Sequence, residues 1–258
     1  MKSALVLFMI LFTGVNFCTT KKSVLPHTLN LNEDVLILRK LHDDYKQKRA
    51  QHKEGGHTLF TFEKKLIEIL ENSQYLNNEL FNALNENDFF TVKSEDNKLI
   101  LISWEILDNG CHHSYKSFYR YKYEDSLYVN YFVGKENIEF SEDNGAYPYK
   151  VHKLNDKAYI TLNTQLVCAS SRLLSSHVIH FNNKSQGICS DCFENSKGFY
   201  TNIGRRDTLN LKFDSVTKEL FYPELTPLVH EGEDTGVMKT TGKYKKLVYK
   251  NGTFVKTN

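Results

Sequence analysis

The sequence predicts an α+β fold, mostly antiparallel β, in which N-terminal helices lead into a β-rich domain of sandwich or partial-propeller form. Three observations carry this. Apolar residues recur at helical spacing only in the part of the chain before Asn87. Beyond it come short, β-prone apolar runs separated by turn residues, with no helical pattern between them, which argues against parallel βαβ units. The chain also holds 15 Tyr and 17 Phe, residue types that favour strands.

The N-terminus reads as an export signal. Lys2 precedes an apolar run from Ala4 to Val15. That run is too short to cross ~30 Å of hydrocarbon, which takes roughly 20 helical residues, and it fits a secretory apolar segment. Residues 1–17 are therefore expected to be a signal segment. Cys18 stands where a bacterial lipoprotein carries its lipid-modified cysteine. Val15 suits that motif and the bulky Phe17 does not, so plain secretion with a chance cysteine is the alternative. Lipidation would anchor the protein firmly, since one acyl chain binds only marginally and a lipoprotein cysteine carries more than one. Residues 18–31 form a polar tether containing Lys21, Lys22 and Pro26.

Residues 32–87 are the predicted helical region. Asn32 suits an N-cap, with Glu33 and Asp34 in the first turn. Val35, Leu38, Leu41 and Tyr45 follow at helical spacing until Gly55-Gly56 stops them. A second helix is expected over 61–72, with Phe62, Leu66, Ile69 and Leu70 as its stripe, and a third over 76–84.

Residues 88–258 are the predicted antiparallel β domain. Runs at 89–93 and 99–104 with the polar turn 94–97 between them read as a hairpin. Further strands are expected at 117–123, 127–133, 149–153, 158–161, 177–182, 208–213, 219–222, 245–249 and 253–256. The last two are joined by Asn251-Gly252, a strong hairpin signal. A short echo recurs: Asp96-Asn97-Lys98-Leu99, Asn155-Asp156-Lys157-Ala158 and residues 214–220 each give a polar turn, a lysine, then a strand. Propeller-like blades would produce it, and so would ordinary turn chemistry.

The stretch KSEDNKLILISWEILDNGCHH, residues 93–113, carries Ser94, Asp96, Lys98, Leu99, Ser103, Trp104, Glu105 and Gly110 in an S-x-D-x-K-L…S-W-D/E…G pattern. In this it resembles a family of uncharacterised exported proteins of Bacteroidota-type bacteria. Ser170 and Ser171, the segment 213–223, and Gly252 with Phe254 extend the likeness over roughly residues 60–256. The resemblance implies export and brings no established activity or catalytic residue. Cys111 and Cys168 depart from that family's pattern at positions expected to be neighbours. A Cys111–Cys168 disulfide tying two turns is therefore predicted, two buried free thiols being the alternative.

The cysteines beyond Cys18 are even in number, which favours disulfides in an exported chain. Cys189-Ser190-Asp191-Cys192 lies in loop-like sequence, so a local structural bridge is expected there in preference to a redox pair or a metal site. His177 and His180 precede it, but residues three apart on a strand point to opposite faces, so both cannot join one tetrahedral site. His112-His113 has the same defect. Asp234-Thr235-Gly236 matches the aspartic-protease tripeptide, whose chemistry needs two carboxylates; the chain has one copy, in what reads as a solvated turn. Ser170-Ser171-Arg172 lacks a nucleophile elbow, and Arg205-Arg206 reads as a charged loop.

No catalytic, metal or cofactor set emerges from these residues. The formal net charge is +2 without a clustered basic face, which excludes a nucleic-acid binder. The expected partners are a membrane, through a lipid anchor, and an unidentified protein or small-molecule ligand. The alternative is an envelope hydrolase whose site is assembled from distant residues.

Overall fold

In the computed structural model the described residues are 30–51, 55–87, 89–106, 113–133, 145–168, 171–181, 186–194, 196–230 and 233–256. The signal segment, residues 18–29 of the tether with Cys18, Cys111, His112 and Ser170 lie outside them, as does the side chain of Cys168, while Leu31, expected to end the tether, opens the first helix. Three helices come first: α1 (Leu31–Ala50), α2 (Gly56–Glu71) and α3 (Asn77–Asn85). Each buries one stripe. Val35, Leu38, His42 and Tyr45 do so on α1, Phe62, Leu66, Ile69 and Leu70 on α2, Leu80 and Leu84 on α3. Two expected boundaries shift. Asn32 lies inside the first turn of α1 instead of capping it, and α2 starts at Gly56, five residues before the expected Thr61. Gly55-Gly56 thus opens a helix, its weak propensity overridden by the burial of Thr58 and Phe62.

Thirteen strands follow among the described residues, all paired antiparallel, in three sheets. Sheet A holds β1 (Phe90–Lys93), β2 (Leu99–Glu105), β3 (Tyr115–Tyr123) and β4 (Ser126–Val133). Sheet B holds β5 (Tyr147–Asn155), β6 (Ala158–Cys168) and β7 (Ser171–Phe181), with β8 (Gln186–Ile188) and β9 (Gly198–Gly204) both pairing with β7. Sheet C holds β10 (Lys212–Asp214), β11 (Glu219–His230), β12 (Glu233–Lys250) and β13 (Thr253–Lys256). The predicted α+β class, helices first and antiparallel β after, is what the chain adopts. Within each sheet the strands follow one another in sequence order, apart from the double pairing on β7.

The sheets stack face to face, and the sequence of β2 shows why. LILISWE is buried almost throughout, so alternation sends apolar side chains to both faces. Ile100, Ile102 and Trp104 join Phe118 of β3 under the helices. Leu99 and Leu101 join Tyr119 and Tyr121, and meet Val151, Tyr159, Ile179 and Phe181 of sheet B. The opposite face of sheet B, with Ile160, Leu162, Leu174 and Val178, packs on Leu220, Leu247 and Phe254 of sheet C. The order of layers is helices, A, B, C. First strands are neighbours: β1 packs along β5, Tyr149 of β5 donates to the Leu211 carbonyl just before β10 at 2.9 Å, and His152 of β5 rests on Phe213 of β10. Sequential antiparallel meanders with adjacent first strands resemble the connectivity of propeller blades, here in a run of three, the middle one carrying a fifth strand on β7.

The three echo segments occupy one structural position, the turn between the first and second strand of each sheet. Each is built the same way, with a side-chain oxygen accepting from the amide two residues on: Asp96 from Lys98 at 3.3 Å, Asn155 from Lys157 at 2.9 Å, Asp214 from Val216 at 2.8 Å. Asn97 and Lys218 take left-handed backbone there, with φ of 57° each, a region Asn tolerates best among non-glycine residues. Asn251 (φ 52°) and Gly252 (φ 92°) turn β12 into β13 as a two-residue hairpin of the expected kind. These tight turns share one end of the stack. The strand ends that the longer connections join, after β2, β4 and β9, lie at the other.

Arg120 fastens the helices to sheet A. Its side chain is fully buried on the helix-facing side of β3. Nε donates to the Leu70 carbonyl at 2.8 Å, and Nη2 to the carbonyls of Asn72 (2.9 Å) and Tyr75 (2.6 Å). Nη1 donates to Asn77 Oδ1. The guanidinium thus satisfies carbonyls left over where α2 ends, and its charge suits the negative end of the helix dipole. Burial lowers its pKa to about 10, so it stays charged at neutral pH.

Candidate functional site

The CxxC segment and the strand before it make the first cluster. β7 alternates as expected, so His177 and His180 face opposite ways. His177, turned toward sheet A, has Nδ1 2.9 Å from Asn163 Nδ2 and Nε2 2.9 Å from the Tyr200 hydroxyl. With both ring nitrogens engaged inside the protein, it is a satisfied core histidine and not a base open to substrate. Thr161, Ser175 and Asn163 complete this buried polar seam.

His180, on the sheet C side, has Nε2 3.7 Å from Cys192 Sγ. Burial pushes its pKa down, against a smaller opposing pull from Asp191. Cys189 and Cys192 form the expected local disulfide. Asp191 Oδ1 lies 3.3 Å from Cys189 Sγ, a contact and not a hydrogen bond, because the bridged sulfur carries no proton. Both cysteines are buried, Cys192 to 1% exposure and Cys189 to 8%, which shields the sulfurs from another protein's thiol.

The bridged loop clamps the last strand. Phe254 N donates to the Cys192 carbonyl at 2.7 Å, Thr253 Oγ1 to the Asp191 carbonyl at 2.9 Å, and Lys256 N to Glu194 Oε1 at 3.1 Å. Phe193 stacks on Phe254 with centroids 4.9 Å apart.

A second cluster lies where β1, β3 and β5 begin, at the end of the stack that carries the longer connections. The rings of Phe90, Tyr115 and Tyr147 meet pairwise, at centroid distances of 5.5, 4.8 and 4.6 Å. Phe90 is 40% exposed, and Tyr115 is buried beneath it. Burial first, then Glu105 and Tyr147, raises the Tyr115 pKa, so the phenol stays neutral. Glu105, paired across the sheet with Tyr115, also contacts His113 Nδ1. Gln165 Nε2 donates to the His113 carbonyl at 3.1 Å. Close packing here demands a glycine: Gly145 has φ +118°, and a Cβ on it would sit 2.6 Å from Gln165 Nε2 and 2.9 Å from Ser114 Cα. Sequence reasoning missed this cluster because its three rings stand far apart in the chain. Tyr115 and Tyr147 each open a strand that starts two residues before the expected 117 and 149.

The other singled-out residues do not converge. Asp234-Thr235-Gly236 lies in β12, with Asp234 paired to Val229, so the expected solvated turn is a strand. β12 is long enough to continue the pairing of β11 past its two register shifts. Arg172 Nη2 donates to the carbonyls of Asp207 and Leu209, each at 2.9 Å, holding the connection into β10. Arg205 and Arg206 are exposed there. The predicted Cys111–Cys168 bridge falls outside the described residues.

Fold and sites together define a class of architecture: three stacked antiparallel blades, covered by helices on the first and locked by a disulfide loop at the last. No family model, curated protein or solved structure matches the chain.

Proposed function

We propose that this protein is an exported, membrane-anchored binding module, and that the Phe90–Tyr115–Tyr147 cluster is its recognition surface. The observation that carries the reading is the cluster itself. Three aromatic rings meet at one end, edge-on or tilted, and back an exposed Phe90, which gives rigid apolar area beside polar groups, the composition typical of binding surfaces. The bridged Cys189–Cys192 pair supports export, because such bonds persist in oxidising compartments. So does the likeness of residues 93–113 to exported proteins. Anchoring rests on Cys18 following the apolar run.

Two measurements test this. Radiolabelled palmitate is expected on the wild type and absent from Cys18→Ala; label persisting in the variant overturns the anchor. A photo-crosslinking residue at position 90 is expected to capture a discrete envelope component. The same residue at Val216, in the exposed turn at the opposite end, is expected to capture none. Equal capture at both positions, or none at 90, overturns the recognition surface.

A further inference from the structure

We infer that His180, Cys189 and Cys192 form a redox-gated zinc site: with the sulfurs bridged no metal enters, and once they are reduced the two thiolates and His180 Nε2 take up one Zn²⁺. The ligand atoms of these three residues already lie within 4.8 Å of one another. A tetrahedral zinc with Zn–S of ~2.3 Å and Zn–N of ~2.0 Å has an S···N edge of ~3.5 Å. The observed separation of His180 Nε2 from Cys192 Sγ is 3.7 Å, so one edge of the tetrahedron is in place before any metal arrives. The C-x₂-C spacing is that of structural zinc sites, and the segment is a loop, free of the alternation that keeps His177 out.

Elements on both sides hold the three ligands. His180 is fixed on β7, paired with Gly187 of β8. Cys189 N donates to the Val178 carbonyl at 2.8 Å, and the Cys192 carbonyl is held by Phe254 N. What must change is local: the bonded sulfurs part to the ~3.8 Å edge that two thiolates share on zinc. Ser190 and Asp191 between them are exposed, so that side of the loop has room to move. Three protein ligands leave a fourth position for water, with the Asp191 carboxylate beside it.

The chemistry balances with a small-molecule dithiol as reductant. It gives two electrons and two protons to the Cys189–Cys192 bond and becomes a disulfide itself. Zinc then displaces the two thiol protons. The inference is independent of the export reading. Where the surroundings oxidise, the bridge closes the site; where they reduce, zinc replaces it as the clamp on β13.

The test uses the full chain and Zn²⁺ itself. A phosphine reduces the bridge, taking its oxygen from water and leaving two thiols, and adds no competing thiol ligand. The reduced protein is expected to retain one zinc per chain through gel filtration. With Co²⁺ in place of zinc it is expected to show a near-ultraviolet thiolate charge-transfer band. Bridged protein is expected to retain none. A Cys18→Ser, Cys111→Ser, Cys168→Ser variant keeps the site, while Cys189→Ser and His180→Gln each weaken it by about 10-fold or more. Should His180→Gln lose its fold, as read by circular dichroism of the bridged form, Cys189→Ser decides. The inference is overturned by equal zinc in the bridged and reduced forms, by none in either, or by loss of zinc in the triple serine variant.

Discussion

Single side chains decide how the layers hold together, and His42 shows how that depends on pH. It is buried on α1, stacked on Phe62 with centroids 5.1 Å apart and tilted against Phe89. Burial first and then Lys46 push its pKa down to about 4, against smaller upward pulls from the Glu105 backbone and Asp43. His42 is a base whose folded pKa lies below its unfolded value of ~6.5. Between those values the unfolded chain holds the extra proton, so stability is full above pH ~6.5 and falls as pH drops toward 4. The shift corresponds to about 3 kcal/mol over that window. His42→Leu is expected to match the wild type at pH 7 and to lose less stability by pH 4.5, as read by urea midpoints. Identical pH profiles for the two proteins would contradict this. Legibility at this scale was uneven. The Cys189–Cys192 bridge was legible from a C-x-x-C in loop-like sequence with an even cysteine count, and the opposite facing of His177 and His180 from strand spacing. The role of Arg120 does not, because three of its four partners are backbone carbonyls, and a carbonyl leaves no mark in the sequence.

Elements were predictable where an apolar β-prone run or a turn dipeptide marks them and obscure where pairing alone defines them. β2 and the Asn251-Gly252 hairpin could be read directly. β9 could not: GFYTNIG is short, flanked by glycines and only partly buried, and it becomes a strand because β7 offers it an edge. β12 hid for the same reason, its first half polar and glycine-bearing but paired with β11. The recurring first turns are legible in sequence and differ in what they hold. Asp96 also accepts from Ser94 Oγ at 2.7 Å and from the Tyr159 hydroxyl at 2.9 Å, joining sheet A to sheet B. Burial alone would raise its pKa, but Ser94, Tyr159, the Lys98 amide and Lys153 together hold it below the usual carboxylate range. Asn155 at the corresponding turn serves only Lys157 N, at the surface. Asp96→Ala is expected to cost about 2 kcal/mol and Asn155→Ala about 0.5 kcal/mol. Denaturant titration of the two variants checks the ranking, and equal losses would mean that the Tyr159 contact contributes nothing.

At the scale of the whole molecule, the cores of the described residues each join neighbouring layers. The helices and sheet A share one core, A and B a second, B and C a third. Such an arrangement behaves as a short one-dimensional stack, in which stability is a sum of layers and interfaces. Helices cover the open face of sheet A, much as capping units close a solenoid, whereas sheet C is held from the side by the bridged loop. That loop acts through Phe254, which is fully buried among Phe193, Phe213 and Tyr249. Removing its ring leaves a cavity costing about 3–4 kcal/mol, all of it in the last layer. Trp104, the only tryptophan, lies in the first core against Phe62 and Phe118, with sheet B between it and the damage. In the wild type, tryptophan emission and far-ultraviolet circular dichroism are expected to report one transition. In Phe254→Ala the dichroism should begin to fall at lower denaturant while the emission of Trp104 stays near its wild-type midpoint, because β10–β13 melt before the interface between A and B gives way. Both probes shifting together by the full amount would show instead that sheet B transmits the loss across its whole thickness, and that the three blades fold as one cooperative unit.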